Sequence, residues 1–354
     1  MNMLEILEQF DITAKDTTVK PFGTGLINHT WMVGSAGTHY ILQRVNENVF
    51  RVPEAIAYNI DLLAAFFRSH CPGYLFVAPV NTVAGGSLVK GPDGGYYRLF
   101  PFVEGSRSVD VVSTPSQAYE AAAQFGRFTR LLAGFNASQL KTTLPDFHNL
   151  SLRQAQFLHA MENGNPQRIQ QASSLIAFIN EHTDIVDIYE KIIQDVSFHL
   201  RVTHHDTKIS NVLFDQAGKG LCVIDLDTVM PGYFISDVGD MMRTYLSPVS
   251  EEESDFSKIE VRDDFYEAIV SGYYGEMKDV LTPNETSHFF YAGLFMVYMQ
   301  AIRFLSDHLL GDPYYGAKYE GHNLVRAQNQ AVLLQRLMEK IDLLESKLKM
   351  VVHA

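Results

Sequence analysis

His204-His205-Asp206-Thr207-Lys208-Ile209-Ser210-Asn211 is the densest polar run beside apolar stretches in this chain of 354 residues. It is followed by two short apolar runs, Asn211-Val212-Leu213-Phe214 and Leu221-Cys222-Val223-Ile224. The turn-forming Asp215-Gln216-Ala217-Gly218 between them predicts a hairpin. Asp225 closes the second run, and Leu226-Asp227-Thr228 follows. Asp206 and Asn211 lie five apart on one loop, and Asp225 returns fourteen residues after Asn211 across the hairpin, so all three can face one site.

Asp, Asn and Asp are hard oxygen donors that suit Mg²⁺ and lack the soft ligands zinc prefers. Phosphoryl transfer needs this set. One carboxylate orients the acceptor hydroxyl and takes its proton; an amide and a second carboxylate hold Mg²⁺ on the nucleotide phosphates. The pattern H-x-D-x-x-x-x-N with a later strand-end Asp is the kinase catalytic-loop arrangement. Any one of these side chains alone would serve equally as a turn cap; the spacing, the hairpin and the second Asp together carry the reading. His204 and His205 are adjacent and no matching Cys or His cluster follows, so zinc is not expected, and His204 is expected to buttress the loop.

Upstream, Thr17 to Pro101 alternates β-rich stretches (Val19–Gly25, Thr30–Val33, His39–Val45, Tyr96–Val103) with Gly-rich turns. A short helix opens the chain around Leu4, Ile6, Leu7 and Phe10, and another is predicted over Pro53–Ser69 from Ile56, Ile60, Leu63 and Phe67 on one face. Downstream the texture is helical: Thr114-Pro115-Ser116-Gln117 to Leu132, Ser151–Met161, Pro166–Asn180, Asp184–Phe198, Thr282-Pro283-Asn284-Glu285 toward Leu310, and His322 to Val351. The expected architecture is α+β with two lobes, 1–104 binding nucleotide and 105–354 binding substrate and carrying the chemistry. A cleft between lobes is a common ligand site.

Phe22-Gly23-Thr24-Gly25-Leu26 joins two predicted strands where a phosphate-covering loop would sit; Gly23, Thr24 and Gly25 could bring backbone N–H groups to phosphates. No G-K-[ST] follows, so it is not a Walker loop. A kinase places a Lys in the third strand. Here that strand reads Tyr40-Ile41-Leu42-Gln43-Arg44-Val45-Asn46, so Arg44, Gln43 or neither takes its place, and only Glu54 on the next helix could pair with it.

Composition narrows the partners. The net charge is −13, which argues against a nucleic-acid surface but not against one nucleotide held with a metal. Two cysteines, Cys71 and Cys222, make no disulfide framework and suit a reducing compartment. No uncharged apolar run reaches the ~18 residues of a membrane span, and Met1–Phe10, with Glu5 and Glu8, lacks the basic region of a signal peptide. The expectation is a cytoplasmic protein, monomer or weak homodimer.

These motifs resemble the aminoglycoside-phosphotransferase/choline-kinase superfamily over nearly the whole chain. Those quoted above are superfamily-wide, as is Arg201-Val202-Thr203-His204. Ile224-Asp225-Leu226-Asp227-Thr228-Val229-Met230-Pro231-Gly232 belongs to that superfamily-wide set too, while Asp237-Val238-Gly239-Asp240, Arg303-Phe304-Leu305 and Lys318-Tyr319 with His322-Asn323-Leu324-Val325-Arg326 resemble the branch of N-acetylhexosamine 1-kinases. The resemblance implies a protein-kinase-like bilobal fold and ATP- and Mg²⁺-dependent phosphorylation of the anomeric hydroxyl of GlcNAc or GalNAc. It implies Asp206 as base and Asn211 and Asp225 as metal ligands, with Asp227 either assisting the metal or bracing the loop. It puts adenine on the connection Phe100-Pro101-Phe102-Val103, and the sugar among Asn28, His29, Thr228, Arg243, Arg303 and Tyr314. Arg243 could instead pair with Asp240, and Arg303 with Asp307; Tyr314 could be core. Asp237 and Asp240 are expected to anchor the loop after Gly232. The alternatives are a kinase for homoserine, choline or an aminoglycoside, and a non-catalytic nucleotide-binding scaffold.

Overall fold

The computed structural model describes residues 3–13, 15–23 and 27–353. After a short helix α1 (Met3–Glu8), five strands form one antiparallel sheet: β1 (Thr18–Pro21), β2 (His29–Ser35), β3 (Thr38–Arg44), β4 (Val89–Lys90) and β5 (Tyr96–Pro101), in the order β1-β2-β3-β5-β4. Alternation along each strand divides its faces. Val33, Leu42, Tyr97 and Leu99 point one way and pack with Ile6, Leu7 and Phe10 of α1 and its exit into a small core. Gln43 and Arg98 are paired across β3 and β5 and take the other face, toward the second lobe.

Helix α2 (Pro53–His70) lies between β3 and β4 in the chain, and its buried Ile56, Ile60, Leu63 and Phe67 join the large core of the second lobe rather than the small one. Asn59 fastens it there: Nδ2 donates to the carbonyls of Lys141 (2.8 Å) and Val229 (3.0 Å), and Oδ1 accepts the Lys141 N–H (2.8 Å).

The larger lobe is built from α3 (Pro115–Leu131), α4 (Leu150–Asn163), α5 (Pro166–Gln171), α6 (Ser173–Glu181), α7 (Asp184–Gln194), α8 (Phe234–Tyr245), α9 (Asp263–Met277), α10 (Pro283–Ser287), α11 (Phe289–Leu309), α12 (His322–Glu339) and α13 (Ile341–Val352). Two small antiparallel pairs are set among them: β6 (Arg201–Thr203) with β9 (Met230–Gly232), and β7 (Val212–Phe214) with β8 (Gly220–Val223). The β7–β8 hairpin is the predicted one. Helices α8 and α9 and the β6–β9 pair were not foreseen from the sequence.

Three predicted helices are each two. The run after Thr282 breaks at His288, the one after Pro166 at Ala172, and the last at Lys340. At Thr282 both halves of the capping box form. At Thr114 only one does: its hydroxyl takes the Gln117 N–H (3.2 Å), while Gln117 Oε1 reaches back to Ser113 instead. Helix α11 is long and apolar enough to cross a membrane, but 89% of its most apolar window is buried inside the protein, as the axis of the helical lobe. Gly239 permits that packing, because a Cβ there would run into the Ala292 carbonyl and lie 2.9 Å from Met296 Cβ, so α8 and α11 approach backbone to backbone.

Candidate active site

The polar run 204–211 lies between β6 and β7 and is held from beneath by α8. Asp237 accepts the N–H of His204 (Oδ2, 3.1 Å) and of His205 (Oδ1, 2.8 Å). Asp240 accepts the Thr207 N–H at 2.8 Å, and Tyr245 donates to the Thr207 carbonyl at 2.6 Å. The i, i+3 spacing of Asp237 and Asp240 puts both on one helix face, so the expected anchoring role has its geometry. Burial pushes the Asp237 carboxyl up to about 7 against the pull of its two amides.

His204 is buried edge-on to Phe125 (5.0 Å) and bonds the Ile224 carbonyl through Nε2 at 3.0 Å. Burial holds it below its ordinary pKa, so it braces the loop as a neutral ring. His205 has φ +67°, the left-handed region, and burial pushes it down to about 4. Gly232 opposite has no room for a Cβ beside the His205 ring.

Asp206 emerges from this base with Lys208 Nζ 3.0 Å from its Oδ1. Burial alone would raise its carboxyl; Lys208, with Arg243 beyond it, outweighs burial and holds it below the usual carboxylate range. Asn211 Nδ2 donates to the Asp206 carbonyl (2.9 Å), while the Asn211 carbonyl takes the Ile224 N–H (2.8 Å). Asn211 therefore joins the loop to the strand end that carries Asp225.

Asp225 is non-glycine at φ +58°, a strained conformation that clusters at functional sites. Its carboxylate has no hydrogen-bond or ion-pair partner among the described residues. It is open to solvent, yet protein surrounds it at longer range. That desolvation, then the charges of Asp227 and Asp206, pushes it up to about 7. A carboxylate crowded by others and left without a cation fits a divalent metal, and Asn211 and Asp225 are the hard donors present. No group of three His, Cys, Asp or Glu among the described residues holds a metal alone; Mg²⁺ needs only one or two carboxylates when phosphates supply the rest.

Asp227 is placed differently. It is 2% exposed and ion-paired to Arg98 of β5, and its Oδ2 accepts from Asn28 Nδ2 at 2.8 Å. Thr228 is buried and donates to the His204 carbonyl at 2.6 Å. His29, at the start of β2, is exposed. Arg44 turns away from the catalytic run to Asp93 (3.2 Å). Gly23 has φ +77°; Thr24 and Gly25 lie outside the described residues. At the connection between lobes, Phe102 meets Phe22 edge-on (6.2 Å) and gives its N–H to His39, and Val103 accepts from Ser106. The Val103 N–H has no partner among the described residues, and Phe100 is half-buried under the Arg98 guanidinium (5.1 Å).

On the other side of Asp206, the His205 ring lies 5.4 Å from His148, which stacks on Phe147 (4.4 Å). Arg303 sits over Phe147 (5.7 Å), Tyr315 (5.6 Å) and Tyr314 (6.0 Å). Among the described residues its one hydrogen bond is to Gln300 (3.3 Å). Asp307 does not pair with it; its carboxylate instead takes the N–H groups of Tyr314 (2.8 Å) and Tyr315 (2.9 Å) and pins the loop after α11. Tyr314 is 73% exposed, so it is not core. Arg243 is forked into Asp240 (2.9 Å) and bound to Glu251 (2.8 Å), the helical ion pair weighed as its alternative.

Two residues escaped the sequence reading. Lys208 could have been found from its place two residues after Asp206. Arg98 left a fainter signal, one cation inside the apolar run Tyr96-Tyr97-Arg98-Leu99-Phe100.

The fold has known counterparts. The chain is similar in fold to an aminoglycoside phosphotransferase from Alicyclobacillus acidocaldarius (TM-score 0.67, 12% identity, 97% of this chain and 96% of that one). It is likewise similar to a microcompartment-associated aminopropanol kinase (0.64, 15%, 97% and 98%) and to a spectinomycin phosphotransferase solved with ADP and spectinomycin (0.61, 13%, 95% and 98%). At such identities the likeness speaks for the protein-kinase-like fold. Residues 18–275, well over half of the sequence and including Asp206, Asn211 and Asp225, match the phosphotransferase enzyme family, and the chain belongs to it.

Proposed function

We propose that this phosphotransferase moves the γ-phosphoryl group of ATP to the anomeric hydroxyl of an N-acetylhexosamine, GlcNAc or GalNAc. In this reading residues 1–104 hold the nucleotide and 105–354 hold the acceptor and the catalytic groups. Adenine lies on Phe100 and Phe102 with the Val103 N–H as donor, and Gly23 begins the loop over the phosphates. Asn211 and Asp225 hold Mg²⁺, which offsets charge on the phosphates. Asp206 orients the acceptor hydroxyl and takes its proton. A carboxylate kept ionised beside Lys208 is a weak base, but an anomeric hydroxyl is more acidic than an ordinary alcohol, so positioning does most of the work.

The observation that carries the acceptor class is Arg303, set on three aromatic rings with no carboxylate partner among the described residues. The solved relatives are named for amine-bearing acceptors: aminoglycosides, spectinomycin, aminopropanol. A cationic acceptor calls for acids or bare aromatic faces; a guanidinium repels it and instead donates to hydroxyl and acetamido oxygens. Tyr314 adds a flat apolar face with a polar tip. Asn28, Thr228 and Arg243 are already engaged and shape the site from behind, with His29 at its rim.

The same arginine favours one second reading, an acceptor with its own carboxylate, such as homoserine. ATP consumption with Mg²⁺ over a panel of GlcNAc, GalNAc, homoserine, choline and an aminoglycoside separates them. The expected ranking puts the hexosamines first. Homoserine ahead of every sugar would remove the sugar assignment. Equal silence of the wild type and Asp206→Asn across the panel would leave a non-catalytic scaffold.

A further inference from the structure

Strand alternation carries Arg98 onto the cleft side of the small sheet, opposite the α1 core that takes Tyr97 and Leu99. It is 3% exposed, and every arm of its guanidinium is engaged. Nε and Nη2 donate to Gln43 Oε1 at 3.1 and 2.9 Å, and Nη1 pairs with Asp227 of the other lobe. Gln43 stands at the third-strand position examined above for a lysine. The second Asp227 oxygen belongs to Asn28, whose own Oδ1 takes the Asn46 N–H at 3.0 Å. Both Asp227 oxygens are thus held by groups from the small lobe, in a place closed to solvent. Two residues earlier, Asp225 is open and has no partner among the described residues.

We infer that Asp227 is not a metal ligand but the large-lobe half of a brace. Arg98, delivered from β5 rather than β3, is the positioning residue that takes over the structural part of the missing lysine. Two segments that face the nucleotide meet at this one carboxylate, the end of the glycine stretch through Asn28 and β5 through Arg98, and Arg98 in turn holds Gln43 of β3. The turn Leu226–Thr228 that carries Asp227 follows directly on the left-handed Asp225, so the brace also fixes the residue that aims the metal-binding carboxylate. A metal reaching Asp227 would have to evict a buried arginine or Asn28. The inference rests on nucleotide phosphotransfer but not on which acceptor is used.

Its test is Mn²⁺·ADP binding followed by electron paramagnetic resonance, without acceptor, beside steady-state kinetics in ATP. Asp225→Asn should lose Mn²⁺·ADP affinity more than a hundredfold. Asp227→Asn should keep the wild-type Mn²⁺ spectrum and lose less than tenfold. Arg98→Met and Asp227→Asn should each raise the KM for ATP about tenfold with kcat changed less, the double variant should be no worse than the worse single one, and Arg98→Lys should recover part of the loss. An Asp227→Asn protein as deficient in Mn²⁺·ADP as Asp225→Asn, or additive effects in the double variant, would overturn the inference. If Arg98→Met does not fold, half-buried Asn28→Ala carries the same test. A threefold or larger rise in the KM for ATP with the Mn²⁺ spectrum kept supports the brace, and an unchanged KM overturns it. A wild type that binds no Mn²⁺·ADP would overturn the nucleotide reading itself.

Discussion

The floor of the candidate site and its proposed acceptor rim are built in different ways. The floor, residues 203–245, is tied by buried polar bonds: Asp237 and Asp240 to three loop amides, Thr228 to the His204 carbonyl, Tyr245 to the Thr207 carbonyl. The rim has Arg303 on one long hydrogen bond and Tyr314 mostly in solvent. A site whose chemistry is over-determined and whose acceptor contacts are loosely held can change acceptor without rebuilding its catalysis.

Breaking the floor should therefore cost most. Asp206→Asn keeps the shape but removes the base, and kcat should fall by about 10²–10⁴, read by coupled ADP release. Asp237→Ala leaves two buried loop N–H groups unsatisfied, at roughly 1–3 kcal/mol each. Urea unfolding should show a stability loss of about 2–6 kcal/mol, with kcat falling alongside because the Asp206 loop is no longer held.

The rim should respond more gently. Arg303→Met should raise the acceptor KM about tenfold or more, the loss expected for a hydrogen bond from a charged group, and leave the KM for ATP unchanged. An equal rise in both would mean Arg303 acts on the fold. Tyr314→Ala should cost only severalfold in the same measurement.

A smaller effect sharpens the contrast through pH. The protein surrounding Asp225, with the charges of Asp227 and Asp206, pushes its carboxyl up to about 7, and Mg²⁺ needs its ionised form. Nucleotide-linked metal affinity should fall as pH drops below 7, by up to about tenfold per unit, and level off above it. Asp206 is held below the usual carboxylate range and stays ionised throughout. Calorimetry of Mg²⁺·ADP binding at pH 6, 7 and 8 reads the slope; a flat profile would mean Asp225 is already ionised or does not bind the metal.

The same two regions differ in how far they could be read from the sequence. Asp206, Asn211 and Asp225 lie within twenty residues and one hairpin of one another, so local spacing places them. The α+β, two-lobed reading followed from the change of periodicity near Gly105. Contacts made at long range left little trace. Arg98 meets Asp227 across 129 residues, and Asn28 meets it across 199. β6 and β9 are three residues each, too short for a periodic signal. The helix breaks at Ala172, His288 and Lys340 carry no Gly or Pro, so local propensity does not mark them. The Asp240–Arg243 pair was visible as an i, i+3 spacing, whereas Asp307 shows the limit of that rule. It sits four residues after Arg303 but is taken by the backbone of the loop that follows.

The most direct test is phosphorus NMR of the product formed from ATP, Mg²⁺ and GlcNAc or GalNAc, run beside Asp206→Asn. The account predicts a single new resonance assigned to phosphate on C1 of the sugar, absent with the variant. Phosphate on any other hydroxyl, or the same resonance from Asp206→Asn at the wild-type rate, would contradict it.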